Sequence, residues 1–257
     1  MRQFTRQRSI GLCLFFSALS LILLPGCNSP DIKPVVLRVM TYNIHHAEGL
    51  DGKVDLERIA NVLQQSNADV IALQEVDKNT ERTGGIDMPA ELAKLTGLNV
   101  VFGANLDNFQ GGQYGTAILS RFPIESHENH LLNQTRKGEQ RGVLQAVLAV
   151  NQGQLLFTCT HLDHKADSAE RLFSEKQFAD LFAKHTALPA LLFVVWQGLA
   201  RVVHASHRPH GERGSYDCPC QHRAQPIRES QEARQHNAAP HEISFAVYLP
   251  PQAQLGG

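Results

Sequence analysis

This sequence has almost no net charge, few cysteines and no long apolar run. The 257 residues carry a formal net charge of −1, which argues against a nucleic-acid binder held by bulk positive charge. The five cysteines show no disulfide framework upstream of the C-terminal part of the chain. Cys159 lies in an apolar stretch that predicts a buried free thiol. The apolar run at 10–24 is too short for a comfortable membrane span. Because the net charge is close to zero, a phosphorylated substrate would have to be recognised by a local site.

The N-terminus has the features of an export signal. Several arginines precede the apolar run, as in a secretory signal peptide. The run ends in Leu24-Pro25-Gly26-Cys27, which resembles a bacterial lipobox, so we predict that residues 1–26 are a lipoprotein signal peptide. A lipidated Cys27 would anchor the mature chain outside the cytoplasm, on a membrane of the bacterial envelope, through a linker at 27–34. The alternative is a plain signal peptide or an uncleaved anchor.

Residues 35–192 alternate between strand and helix patterns, which predicts a mixed α/β domain with sheets covered by helices. Asp51 or Asp55 is the candidate N-cap of the first helix. The last helix would bury Leu172, Phe173, Phe178, Leu181 and Phe182. Strands are predicted at 35–44, 68–76, 100–102, 114–119, 142–150 and 154–160, and helices at 54–65, 89–95 and 167–184.

Three polar residues stand at the ends of apolar strands, where α/β enzymes place their sites. Asn43 ends the first strand, Glu75 ends the second and His161 ends the last. Each is a residue type that binds a metal ion or a phosphate oxygen. Singly, each is more often structural, as a turn residue, a solvated charge or a packed imidazole. Together and in this order they predict a metal or phosphate site.

Five segments occur in a characteristic order: TYNIHHAEGLDG, DVIALQEVD, GGQYGTAILSRFPI, RGVLQAVLAV and THLDH. They resemble the endonuclease/exonuclease/phosphatase superfamily, in particular its small bacterial metal-dependent hydrolases, and the resemblance covers about 37–184. It implies an α/β fold, a four-layered α/β sandwich of the DNase I-like kind. It also implies hydrolysis of phosphate esters with Mg²⁺ or Mn²⁺ as cofactor.

The resemblance assigns roles to the strand-end residues. Glu75 would be the carboxylate ligand of the metal. Asn43 would share in metal and substrate binding, because its amide can orient a phosphate or a metal-bound water. His161 would donate to a non-bridging phosphate oxygen and stabilise charge in the transition state.

Three further polar residues match family positions. Tyr114 would line the cleft as a catalytic residue, and Arg141 would bind substrate, unless it is a surface charge after a turn. Asp163 would act in catalysis by orienting its neighbours. The candidate catalytic residues are therefore His161, Asn43, Tyr114 and Asp163.

The last part of the chain does not match. No lysine follows Lys184, although arginines continue and six histidines fall between His204 and His241. A strand begins at 188–193, but 194–198 reads Val-Val-Trp-Gln-Gly where the family has Gly-Asp-x-Asn, and no Ser-Asp-His follows. Residues 193–257 are therefore predicted to be a disordered tail, which leaves the sandwich incomplete at its C-terminus. A shifted reading frame is the favoured cause, and genuine divergence is the rival.

Three functions fit these observations. The first is a phosphodiesterase or phosphatase that is impaired or inactive in this form, because a general base and a catalytic histidine are missing. The second is a non-catalytic lipoprotein that binds a phosphorylated ligand or a partner. The third is the product of a disrupted gene. A nucleic-acid substrate fits the resemblance but is not favoured by the charge.

Overall fold

The computed structural model describes residues 35–151, 153–163, 168–183, 188, 190–196, 199–205, 225–226 and 241–247. The predicted signal peptide and linker, including Cys27, lie outside the described residues, as does most of the predicted tail. Within the described ranges, no helix is long and apolar enough to cross a membrane.

Two mixed β-sheets form the centre of the fold. The strands are β1 (Val35–Asn43), β2 (Val70–Lys78), β3 (Asn99–Phe109), β4 (Gly112–Ser120), β5 (Ile124–Leu131), β6 (Gly142–Val150), β7 (Gly153–His161), β8 (Ala190–Trp196), β9 (Leu199–Ala205), β10 (Gln225–Pro226) and β11 (His241–Val247). The first sheet has the order β10-β11-β1-β2-β4-β3, and the second has the order β5-β6-β7-β8-β9. Strands β1 and β2 are parallel, as are β7 and β8, and the other pairs are antiparallel.

Strands β1 and β2 are apolar on both faces because both faces are covered. Side chains alternate across a strand, so Val39 and Val70 enter the core between the two sheets. Met40 and Ile71, one residue further on, enter the core on the opposite face. This two-sided burial explains why both strands read as nearly continuous apolar runs that end in polar residues.

Helices cover the outer face of each sheet. Helices α1 (Leu56–Ser66) and α2 (Met88–Thr96) pack on the first sheet in one apolar cluster. Helix α3 (Ala169–Ala183) packs through Phe178 against Val143 of the second sheet. The layers are therefore helix, sheet, sheet and helix, which confirms the predicted four-layered sandwich.

Local signals explain where α1 begins and ends. Asp55 is the N-cap, and its side chain accepts a hydrogen bond from the Arg58 backbone nitrogen at 2.9 Å. Such a cap contributes about 1 kcal/mol. Asn67 ends the helix with a φ of 51°, which its short polar side chain tolerates. Of the two predicted caps, the structure selects Asp55.

The interior confirms one further prediction. Cys159 is a free thiol with no exposed surface. Burial raises its pKa to about 12, against the opposing effect of a hydrogen bond from Gln74. The thiol is therefore a small apolar group of the core and not a nucleophile.

Two predictions differ from the structure within the matched region. Strand β5 was not expected, because IESHENHL has few apolar residues and its side chains are mostly exposed at a sheet edge. Leu172 was expected in the core but is 60% exposed. The buried face of α3 runs through Arg171, Ser174 and Phe178, and Leu172 lies off that face.

Three strands lie in the segment predicted to be disordered. Strand β9 pairs with β8, β10 pairs with β11, and β11 pairs antiparallel with β1. These stretches are therefore strand. The apolar and β-branched content of LARVVHA and HEISFAV, together with an available edge on each sheet, is the physical reason. The pairing brings His241, the first residue of β11, opposite Thr41 near the carboxyl end of β1.

Candidate active site

The site begins where two parallel strands end side by side. In the register of β1 and β2, Asn43 lies opposite Gln74, which brings Glu75 next to Asn43. The Asn43 side-chain amide donates a hydrogen bond to Glu75 Oε1 at 2.7 Å. Asn43 Oδ1 accepts one from the His45 backbone nitrogen at 3.0 Å. Asn43 therefore orients the Glu75 carboxylate and the start of the following turn.

An irregularity in β2 directs the Glu75 side chain. The pairing of β2 with β4 shifts register between Leu73 and Val76, and Glu75 has a φ of 58°. A β-bulge of this kind re-aims a side chain and recurs next to active sites. A glutamate in the left-handed region is strained, so the surrounding sheet must hold this conformation.

Two histidines join Glu75 immediately after β1. One ring nitrogen of His45, one of His46 and a Glu75 oxygen all lie within 4.8 Å of one another. The backbone of His45, His46 and Ala47 has positive φ throughout, at 48°, 43° and 60°. Three consecutive non-glycine residues in this region store strain of about 1–2 kcal/mol each. Such strain clusters at functional sites.

Glu48 accepts hydrogen bonds from both rings. Its Oε2 lies 3.0 Å from His46 Nε2, and its backbone oxygen lies 3.5 Å from His45 Nδ1. Burial lowers the pKa of His46, while the hydrogen bond to Glu48 opposes that shift. His46 is therefore neutral near pH 7, the form in which an imidazole binds a metal.

Tyr114 lies on β4, opposite Asp77 of β2, and is nearly buried. Burial raises the pKa of its phenol well above the ordinary value, and the negative charges of Glu75 and Glu139 raise it further. The charge of Arg141 opposes this effect. The phenol therefore keeps its proton at neutral pH and can donate it in a hydrogen bond.

A buried ion pair fixes the Tyr114 ring. The Arg82 guanidinium donates to both oxygens of Asp77, at 2.6 and 2.7 Å, and Asp77 has no exposed surface. The central carbon of the Arg82 guanidinium lies 4.9 Å from the Phe109 ring centroid and 5.5 Å from the Tyr114 ring centroid. The bidentate pair and the contacts of the guanidinium with both rings tie the turn after β2 to β4.

A second cluster lies at the end of β7. His161 is the last residue of that strand, and Arg141 directly precedes β6, its antiparallel neighbour. Arg141 Nη1 donates to His161 Nδ1 at 3.2 Å and to Glu139 Oε1 at 2.6 Å. Arg141 is 4% exposed, so it is not a surface charge. A guanidinium can only donate, so Nδ1 accepts and a neutral His161 carries its proton on Nε2.

Asp163 accepts hydrogen bonds from two arginines. Its Oδ2 accepts a hydrogen bond from Arg136 Nη2 at 2.7 Å, and its backbone oxygen accepts one from Arg171 Nη1 at 3.3 Å. These contacts attach the loop before β6 to the start of α3. The orienting role in catalysis expected of Asp163 stays a prediction.

The structure thus brings most of the predicted residues together. Asn43 and Glu75 touch, Arg141 and His161 touch, and Tyr114 experiences the charges of Glu75 and Arg141. Sequence reasoning missed His45, His46, Asp77, Arg82 and Glu139. Adjacent histidines directly after a strand end were the one signal that could have pointed to the metal cluster.

Comparison with known proteins agrees with this geometry. The model of the Endonuclease/Exonuclease/phosphatase family matches residues 40–193. The chain belongs to this family. Its members act on phosphate esters and generally use divalent metal ions.

Three relatives illustrate the similarity. The 5'-tyrosyl-DNA phosphodiesterase of Caenorhabditis briggsae is 29% identical over 161 residues, which cover 60% of this chain and 41% of that protein. The solved structure of an endonuclease/exonuclease/phosphatase from Beutenbergia cavernae is 26% identical, with a TM-score of 0.52, over 62% of this chain and 46% of that one. A family protein from Bacteroides thetaiotaomicron is 19% identical, with a TM-score of 0.51, over 63% and 64%. The chain spans less than two thirds of each.

The donor set at Glu75 fits a divalent cation. A carboxylate oriented by an amide supplies oxygen ligands, and ring nitrogens of His45 and His46 lie within 4.8 Å of it. Glu75 is therefore placed to bind the metal that this family generally uses. Asn43 Oδ1 already accepts the His45 backbone nitrogen, so its clearest role is to orient Glu75.

Proposed function

We propose that this chain carries the metal-binding and phosphate-binding half of a phosphate-ester hydrolase, and that its activity is impaired in this form. One observation supports the proposal above the others. Asn43 orients Glu75 at one strand end, and Arg141 contacts His161 at another. Burial raises the pKa of the Tyr114 phenol, and the charges of Glu75 and Arg141 change it further in opposite directions.

Each side chain has a distinct task at a phosphate ester. Glu75, held by Asn43, would hold Mg²⁺ or Mn²⁺, and the bound ion would supply a Lewis acid for a phosphoryl oxygen. Arg141 supplies positive charge to a phosphate oxygen and holds His161. Its hydrogen bond keeps the His161 proton on Nε2, where donation to a non-bridging oxygen requires it. The protonated phenol of Tyr114 is a further donor.

Similarity to a known phosphodiesterase favours a phosphate diester as the substrate class. The similar Caenorhabditis briggsae protein is a 5'-tyrosyl-DNA phosphodiesterase, and this chain spans less than half of it. A net charge of −1 does not favour duplex DNA as the substrate, because non-specific DNA binding relies on many cationic contacts.

Impairment follows from what stands at the end of β8. This strand is parallel to β7, and Val195 lies opposite His161, so β8 ends beside the second cluster. The sequence from the last residue of β8 onward, Trp196-Gln197-Gly198, contains no carboxylate to activate a water. The family match also ends at residue 193, which supports the expected break in the sequence.

The same break favours a second candidate function. A chain that keeps Glu75, Arg141 and His161 but lacks a general base can bind a phosphorylated ligand without hydrolysing it.

A disrupted gene is the third reading, and a shifted frame after residue 192 remains our hypothesis for its cause. Sequencing the gene over codons 185–200 and translating all three frames tests it, since a Gly-Asp-x-Asn in another frame is expected.

Binding of a phosphate ester tests the proposed site directly. The full chain, titrated with bis(4-nitrophenyl) phosphate in a calorimeter, is expected to bind it only when Mg²⁺ or Mn²⁺ is present. Arg141→Ala should weaken this binding about tenfold or more, because it removes a charge-assisted hydrogen bond.

The matched control is Arg121→Ala. Arg121 is more than half exposed and pairs with Asp69 on the surface, so its loss should change the affinity less than threefold. Binding that ignores the metal, or equal affinity in the Arg141 and Arg121 variants, contradicts the proposed site.

We also propose that Cys27 is lipidated and that the chain is held on a membrane of the bacterial envelope. The lipobox-like Leu24-Pro25-Gly26-Cys27 supports this proposal. In cells fed a labelled fatty acid, the chain should carry the label and sediment with membranes. Cys27→Ser should lose both properties, whereas Cys159→Ser, at the buried thiol, should keep them. Unlabelled wild-type chain would contradict the proposal.

A further inference from the structure

The cluster after β1 contains more nitrogen than a magnesium site needs. Mg²⁺ is bound by oxygen ligands and keeps several waters. Here two imidazoles, His45 and His46, bring ring nitrogens within 4.8 Å of each other and of a Glu75 oxygen. Their ring centroids are 4.4 Å apart. Two imidazoles held this close to a carboxylate offer one cation two nitrogen ligands and one oxygen ligand.

The hydrogen bonds of Glu48 determine which nitrogen of each ring carries a lone pair. Carboxylate and carbonyl oxygens only accept, so His46 Nε2 and His45 Nδ1 are the donors in these contacts. The lone pairs of the neutral rings then lie on Nδ1 of His46 and Nε2 of His45. A metal-binding histidine usually donates its other ring N–H to a carboxylate or a backbone carbonyl. Glu48 supplies one acceptor of each type.

We propose that His45 and His46 bind the same cation as Glu75, with Glu48 orienting both rings, so that the site prefers a first-row transition ion over Mg²⁺. This inference rests on the metal site at Glu75 in the proposed function. Imidazole ligands favour ions such as Co²⁺, Ni²⁺ and Zn²⁺ over hard cations. The strained backbone at His45, His46 and Ala47 is the conformation that brings both rings to Glu75.

Cobalt binding to the full chain tests the proposal without any substrate. Co²⁺ is expected to bind about 100-fold more tightly than Mg²⁺ in calorimetry. Proton NMR of the cobalt form should show two strongly shifted, exchangeable imidazole N–H signals. This measurement uses wild-type protein, so it does not depend on the folding of a variant.

Further histidines between His204 and His241 can also bind cobalt. The two signals are therefore assigned to the site only if Glu75→Ala removes them. Signals that persist in Glu75→Ala, or the absence of shifted N–H signals in the wild-type chain, overturn the proposal.

Variants then separate the imidazoles from the carboxylate. His45→Ala should weaken Co²⁺ binding about 10- to 100-fold and change Mg²⁺ binding less than threefold, and Glu48→Gln should weaken Co²⁺ binding about tenfold. The control His127→Ala removes an exposed imidazole on β5 and should change neither affinity.

The outcomes distinguish this inference from the proposed function. If Glu75→Ala abolishes binding of both ions while His45→Ala changes neither, the site has oxygen ligands only and this inference fails alone. If Glu75→Ala retains both ions, the metal site of the proposed function fails as well.

Discussion

The 257-residue chain is expected to hydrolyse a phosphate diester about 10³-fold or more below the rate of an intact site of this kind, because groups that act as a unit are missing. In-line attack on phosphorus needs a water activated by a carboxylate. Strand β8 ends at Trp196, and the sequence Val-Val-Trp-Gln-Gly contains no carboxylate where the family has Gly-Asp-x-Asn. With Mn²⁺ or Mg²⁺ present, the wild-type rate should lie within about threefold of the Glu75→Ala rate.

The opposite result would be informative about the C-terminal strand. Strand β11 starts at His241, two register positions from the end of β1 at Asn43. Metal-dependent hydrolysis that falls about 100-fold in both Glu75→Ala and His241→Ala would show that a histidine at this strand end substitutes for the expected motif. The prediction of impairment would then be wrong. The exposed His127 gives the control substitution.

Glu75→Ala is expected to weaken divalent metal binding about 100-fold or more, since it removes the carboxylate that lies within 4.8 Å of the ring nitrogens of His45 and His46. The loss should hold for hard and borderline ions alike, because every proposed ligand set includes this oxygen. Calorimetric titration with Mg²⁺ and with Mn²⁺ measures it.

Two controls make the Glu75 result specific. Glu175→Ala removes an exposed carboxylate from α3 and should leave both affinities unchanged. Asn43→Ala keeps Glu75 but removes the amide that donates to it at 2.7 Å, so a smaller loss, about tenfold, is expected. Metal binding that survives in Glu75→Ala would place the cation elsewhere.

The parts of the site that sequence reasoning found share one property. Asn43, Glu75 and His161 each follow a long apolar run, and the end of a buried strand is visible from neighbouring residues alone. Local patterns also predicted a mixed α/β domain with sheets covered by helices, whereas the four-layered order was implied by the family resemblance. Strand β5 was not predicted from the sequence, because an exposed edge strand has few apolar residues.

The parts that the sequence missed or left open depend on contacts between residues distant in sequence or on unusual backbone. For Arg141 the sequence left open a substrate-binding residue or a surface charge after a turn, and the pairing of β6 with β7 buries it against His161. The same contact determines the His161 tautomer, which no sequence pattern encodes. The partnership of Asp77 with Arg82 likewise depends on how the turn after β2 folds back.

By itself, the sequence determined the family and the strand ends and showed that the family motifs stop near residue 192, because each of these is a pattern of neighbouring residues along the chain. Only the tertiary structure decided that Glu75 turns toward two histidines, because that geometry requires a register shift in β2 and positive φ at Glu75, His45 and His46. Such conformations are strained locally and persist only where the surrounding sheet holds them.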